Sequence, residues 1–179
     1  MGTASRERAL LLAGMMGAGK TSVGQLLARH LGWEFVDSDA CLEQTHARPI
    51  REIFALEGEA RFRVLEREAL EKLPARQAVV ALGGGAVVDP ATRKLLRAKG
   101  ALVWLDASPE TLADRVGAAG ERPLLADLEG AERIERLREL RAERAAAYAD
   151  SDLRVDTDGL SPEQVCAAVL CGLGWEDAA

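Results

Sequence analysis

Four fixed positions of the pattern G-x-x-x-x-G-K-[ST] are filled by Gly14, Gly19, Lys20 and Thr21. The apolar residues Leu10, Leu11 and Leu12 precede them, and Val23, Leu26 and Leu27 follow at helical spacing. A strand before and a helix after are the setting in which this pattern cradles phosphate. Its glycines let backbone N–H groups turn inward around phosphate oxygens, and the helix N-terminus adds the positive end of its dipole. Gly17, Ala18, Gly19, Lys20, Thr21 and Ser22 would form the cradle. Lys20 would reach the β- and γ-phosphates of a nucleotide, and the Thr21 hydroxyl would ligand Mg²⁺.

The other chemistry-bearing residues follow later strands. Asp37 and Asp39 lie two apart after the run Trp33–Val36. Phosphoryl transfer to a hydroxyl uses one carboxylate in the metal shell and another to orient or deprotonate the nucleophile. The competing reading makes Ser38 or Asp39 the N-cap of a helix beginning at Ala40. Farther on, Phe62, Leu65, Ala69 and Leu73 form one helical face with Glu66 inside it. A carboxylate there needs a partner, and Arg63, three residues earlier, can supply it, whether as a purely structural ion pair or as part of a site. Arg61 and Arg67 point elsewhere. Ile134, Leu137, Arg141, Arg144 and Tyr148 form a second inward stripe, whose two arginines need anionic partners. Gly83, Gly84 and Gly85 directly after a strand permit close backbone approach to a ligand. Asp106, Asp156 and Asp158 are read as structural, because Ser108-Pro109 and Ser161-Pro162 open helices beside them without chemistry.

The elements that must position these residues alternate. Short apolar runs occupy Ala9–Ala13, Trp33–Val36, Ala78–Leu82, Ala101–Leu105 and Leu153–Val155. Helical patterns occupy Thr21–Leu31, Ile50–Leu73, Pro90–Ala98, Pro109–Val116, Ala131–Tyr148 and Pro162–Leu173. Such alternation predicts an α/β fold, a parallel sheet covered by helices on both faces. Ligands of these sheets bind beyond the carboxyl ends of the strands, where the residues above fall. Residues 117–130 show no convincing element, as a functional loop would not.

Composition limits the partners. The chain has 179 residues and suits one domain; 48% are hydrophobic and 29% charged, the proportions of a folded protein. A net charge of −6 disfavours a broad nucleic-acid-binding surface. Of 23 basic residues, 19 are Arg and four are Lys; compositional bias explains most of them, an anion pocket some. Asn is absent, so the Asn-Lys-x-Asp guanine reader of switch GTPases cannot be built. Three Cys (41, 166, 171) lack metal-ligand spacing and fit a reduced, cytoplasmic chain. Neither a signal segment at Met1–Arg8 nor a membrane-length apolar run is expected. A small-molecule kinase fits this size. A gluconate-type kinase and a nucleotide-binding regulator without turnover are the alternatives.

Taken together, these motifs resemble the shikimate kinase family over about residues 9–173. The likeness rests on the phosphate loop, Asp37-Ser38-Asp39, Gly58-Glu59 with Phe62-Arg63 and Glu66, Leu82 to Gly85, Arg122-Pro123-Leu124-Leu125, and Arg144 four before Tyr148. The resemblance implies a P-loop kinase of the nucleoside-monophosphate-kinase type, three α/β/α layers around a five-stranded parallel sheet. It implies a single domain over 1–179, with core 9–173, a substrate-binding helical region at about 37–73 and a lid at about 117–130. ATP with Mg²⁺ would phosphorylate the 3-hydroxyl of shikimate, a step toward chorismate and the aromatic amino acids. Lys20, Asp39 and Arg122 would be catalytic, with Asp39 holding hydroxyls and activating the nucleophile. Arg63 and Arg144 would clamp the substrate carboxylate, with Glu66, Gly84 and Gly85 in the same pocket. Asp37 would support Mg²⁺ through water, Arg122 would swing from the lid onto the transferring phosphate, and Arg115 and Pro162 would hold adenine. Thr21 stands where many members have Ser, and Leu160 where some have Arg. The expected partners are these two small molecules alone, bound by a monomer.

Overall fold

The run Ala9–Ala13 is strand β1 and is buried at every position, as a strand covered on both faces must be. In a computed structural model describing residues 7–116, 123–125 and 128–175, β1 is the centre of a five-stranded sheet. Strands β2 (Glu34–Asp37), β3 (Ala78–Ala81), β4 (Gly100–Asp106) and β5 (Leu153–Asp156) complete it in the order β2-β3-β1-β4-β5, all parallel. β3 separates the first two strands, with Leu10 opposite Val79 and Phe35 opposite Val79 on its other edge. The acidic pair is therefore one strand farther from the phosphate loop than direct pairing of β1 and β2 would put it.

Seven helices are described: α1 (Lys20–Leu31), α2 (Ser38–His46), α3 (Ile50–Glu71), α4 (Pro90–Lys99), α5 (Pro109–Val116), α6 (Gly130–Ala149) and α7 (Pro162–Leu173). Local sequence sets their ends. Asp89 caps α4 ahead of Pro90, and α7 opens on a capping box of Ser161 with Gln164. Two departures from the sequence pattern matter. Asp37, rather than Ser38 or Asp39, caps α2, so that helix starts two residues earlier than Ala40. The long pattern from Ile50 is broken at Gly58, whose φ of 77° and ψ of 170° join two helical segments at an angle. The second segment carries Arg63 and Glu66.

The main core lies on both faces of the sheet, with Leu10, Leu12, Val80 and Leu102 meeting Leu27, Leu96, Leu137 and Val169. It continues past Leu173 to Trp175, which meets Trp33 edge-on at 5.7 Å. Leu125, within the loop read as lacking an element, belongs to a 3₁₀ turn over Pro123–Leu125 and is fully buried. A separate small cluster of Leu42, Ile53, Phe62 and Leu65 holds α2 against α3. That region thus has apolar support of its own beside the sheet. No helix among the described residues is long and apolar enough to cross a membrane.

One ion-pair network fixes α6. Asp106, 3% exposed at the end of β4, accepts two bonds from Arg141 (2.9 and 2.7 Å) and one from Arg154 (2.8 Å). This is the anionic partner that the inward stripe requires for Arg141, and it makes Asp106 structural. Removing Arg141 would leave a buried carboxylate with one cation in place of two. Arg141→Ala is therefore expected to cost about 2 kcal/mol of stability, read as a lowered urea midpoint with unchanged substrate KM values. An unaltered midpoint would show that Arg154 alone suffices.

Candidate active site

The loop between β1 and α1 is shaped to receive an anion. Gly17 and Gly19 take positive φ of 81° and 91°, which turns successive N–H groups to one side. The N-terminus of α1 receives no side-chain cap and has no acid in its first turn. Its N–H groups and dipole are thereby left for a ligand. Lys20 is folded back along the loop, with Nζ donating to the carbonyls of Gly14 and Met15 at 2.9 Å each. This places an ammonium beside the cradle.

Asp37 does two jobs with its two oxygens. Oδ1 caps α2 by accepting from the Asp39 and Ala40 amides at 3.1 and 3.2 Å. Oδ2 accepts from the Thr21 hydroxyl at 3.2 Å, bridging from β2 past β3 to the start of α1. One carboxylate therefore caps α2, where Ser38 or Asp39 was expected to, and also meets the Thr21 hydroxyl. No cluster of three or more His, Cys, Asp or Glu able to hold a metal occurs among the described residues. Thr21 and Asp37 accordingly fit Mg²⁺ that keeps water and shares phosphate oxygens, the usual habit of that ion.

Across the cleft, two carboxylates and two guanidinium groups crowd around Gly83–Gly85. Arg63 donates to Glu66 at 2.8 Å and to Glu59 at 2.9 Å. Burial raises the Glu66 carboxyl above its ordinary value, against the pull of Arg63 and then Arg144. Burial works to lower the Arg63 guanidinium, but Glu66 and Glu59 beside it together outweigh this and hold it high. Arg144 is 6% exposed and donates to the Gly84 carbonyl at 3.1 Å and the Met15 sulfur at 3.8 Å. Among the described residues no carboxylate lies within 4 Å of it. A Cβ at Gly83 would stand 2.5 Å from Asp39 Oδ1 and 3.0 Å from Glu66 Oε1; one at Gly85 would stand 2.5 Å from Arg63 Nη1. These glycines make room for the protein's own charged groups as well as for a ligand.

One cleft of about 890 Å³ joins the two ends. The cradle residues Gly17 to Ser22, the acids Asp37 and Asp39, and Arg63, Glu66 and Arg144 all line it, as do Gly84, Gly85, Arg115 and Pro162. Arg115 is held at its rim by bonds to Thr157 Oγ1 (3.0 Å) and Thr157 O (2.8 Å). Of the expected site residues, Arg122 lies outside the described residues, together with most of 117–130. One cleft residue carried no signal in the sequence. Phe54 sits on an ordinary apolar period, yet it faces the cleft and packs on Phe62 at 4.6 Å. Ser38, 3% exposed, accepts from the Gly83 amide at 2.9 Å and ties the glycine loop to the acidic turn. Only the sequence distance of 45 residues hid that bond.

Comparison with known proteins agrees with this geometry. A family model described as shikimate kinase matches residues 16–173. The chain is 49% identical to a shikimate kinase of Gloeobacter violaceus over 90% of each chain, and 47% identical to one of Moorella thermoacetica over 84% of this chain and 85% of that one. Among solved structures, a shikimate kinase from Acinetobacter baumannii in complex with shikimate superposes with a TM-score of 0.86 at 33% identity, covering 92% of this chain and 91% of that one. A gluconokinase from Sinorhizobium meliloti shares the fold alone, with a TM-score of 0.63 at 21% identity over 95% and 94% of the two chains. Fold, phosphate loop and arginine-lined pocket coincide with a match spanning most of the sequence, and the chain belongs to the shikimate kinase family.

Proposed function

We propose that this protein transfers the γ-phosphoryl group of ATP to the 3-hydroxyl of shikimate, giving ADP and shikimate 3-phosphate. The observation that carries the reading is the single cleft that joins a phosphate cradle to a pocket with a buried guanidinium. A kinase must bring two anionic substrates together, and both ends here are built for anions.

The loop amides and Lys20 bind the nucleotide phosphates, and Arg115 with Pro162 flanks the base. Thr21 and Asp37 would hold Mg²⁺, Asp37 through water, and the ion would supply positive charge to the phosphates while the γ-phosphoryl group is transferred. Asp39 orients the acceptor hydroxyl and takes its proton. Arg63, prepaired with Glu66, and Arg144 grip the acceptor's carboxylate, a planar anion suited to forked donors. Gly84 and Gly85 form the wall beside it. Arg122, in the lid at about 117–130, completes the charge around the transferring group. The rest of the division follows, with a core at 9–173 and an acceptor region at about 37–73. The proposed enzyme works as a monomer in the cytoplasm on these two small molecules, without nucleic acid or membrane.

A coupled assay of ADP release tests the activity directly. Release dependent on shikimate, and not on gluconate, is expected; equal release with and without acceptor would defeat the kinase reading. Asp39→Asn is expected to lower kcat by about 100-fold or more while ATP binding persists. Normal turnover in that variant would assign the proton transfer to another group.

A further inference from the structure

The chain has a single tyrosine, Tyr148, and the chemistry above gives it no part. It lies one helical turn beyond Arg144 on α6 and is completely buried. A buried phenol needs an acceptor. Here that acceptor is the carbonyl of Gly84, 2.6 Å from the hydroxyl. Arg144 donates to the same oxygen at 3.1 Å. Two donors from one helix thus use both acceptor positions of one carbonyl on the cleft wall. The ring itself is fixed: Trp104 stacks on it with centroids 5.5 Å apart and planes at 18°, and the Arg154 guanidinium lies over Trp104 at 4.7 Å. Arg154 is anchored in turn by Asp106. Burial pushes the phenol up to about 12, so it stays a neutral donor across the pH range of an ordinary assay.

This arrangement fixes more than one atom. The peptide bonds described contain no cis form, so the Gly84–Gly85 unit is planar and trans. Turning its carbonyl toward α6 points the Gly85 N–H the opposite way. A Cβ on Gly85 would stand 2.5 Å from Arg63 Nη1, so that guanidinium lies against the loop there. The setting of this peptide therefore relates Arg144 on one side to Arg63 on the other.

We propose that Tyr148 is a positioning residue for the acceptor: its hydroxyl fixes the Gly84 carbonyl, and through it the Arg144 guanidinium and the Gly84–Gly85 backbone that meet the acceptor's carboxylate. It touches neither substrate. The inference rests on the reading of shikimate as acceptor, held between Arg63 and Arg144.

Tyr148→Phe removes the hydroxyl and keeps the ring. The KM for shikimate is expected to rise about tenfold, the loss of one buried hydrogen bond, while the KM for ATP stays within about twofold. Trp175→Phe is the packing control: it loosens the buried contact with Trp33, away from the cleft, and is expected to lower Tm without changing the shikimate KM. An unchanged shikimate KM in Tyr148→Phe, or equal rises for both substrates in both variants, would overturn the inference. A second measurement does not depend on the variant folding. Protein labelled with 3-fluorotyrosine gives one ¹⁹F resonance, because the chain has one tyrosine. That resonance is expected to shift on saturation with shikimate and to ignore ADP; indifference to shikimate would overturn the assignment. Absence of any shikimate-dependent turnover in the unmodified protein would instead defeat the functional reading on which the inference rests.

Discussion

A guanidinium taken out of water needs an anion, and among the described residues Arg144 meets a carbonyl, a thioether and the Tyr148 hydroxyl but no carboxylate within 4 Å. An uncompensated buried charge costs several kcal/mol. The structure tolerates it because Asp106, Arg141 and Arg154 hold α6 from behind, and because Glu66 lies near enough to feel its field. The neighbouring Arg63 is already committed to Glu66 and Glu59. This end of the cleft thus carries one forked donor paired with carboxylates and one for which no carboxylate lies within 4 Å among the described residues. Under the proposed function, the acceptor's carboxylate would pair it.

The rest of the site can be read as the means of bringing that anion to a second one. The parallel sheet sends β1, β2 and β3 to the same edge, so the phosphate loop, the acidic turn and the glycine loop open on one cleft. Two side-chain bonds lock them in register. Thr21 to Asp37 joins the first to the second, and Ser38 to Gly83 joins the second to the third. Asp37 caps a helix with one oxygen and accepts from the Thr21 hydroxyl with the other. Local helix formation and the relative placement of the phosphate loop and the acidic turn are thereby set by the same group.

Much of this was legible in the sequence, and the reason is locality. The phosphate loop needs eight consecutive residues and its flanks, all of them visible. Glu66 and Arg63 are three apart, so helical periodicity alone exposes a carboxylate on an apolar face. Arg141 could be seen to need an anion, but Asp106, 35 residues away, could not be matched to it without the sheet. Strand order was equally hidden: alternation predicts a parallel sheet but does not say that β3 lies between β1 and β2. The bonds Ser38–Gly83 and Tyr148–Gly84 join residues 45 and 64 apart, and nothing local marks either. The break at Gly58 is a single left-handed residue inside an otherwise continuous helical pattern.

The central claim is that the buried Arg144 and its partner Arg63 select a carboxylate. Calorimetric titration of shikimate against its methyl ester, on the unmodified protein, tests this most directly. The ester keeps the ring and its hydroxyls and removes only the charge. Leaving the buried guanidinium unpaired costs about 2–5 kcal/mol, so the account predicts binding weaker by at least about 30-fold. Equal affinity for the acid and the ester would contradict it.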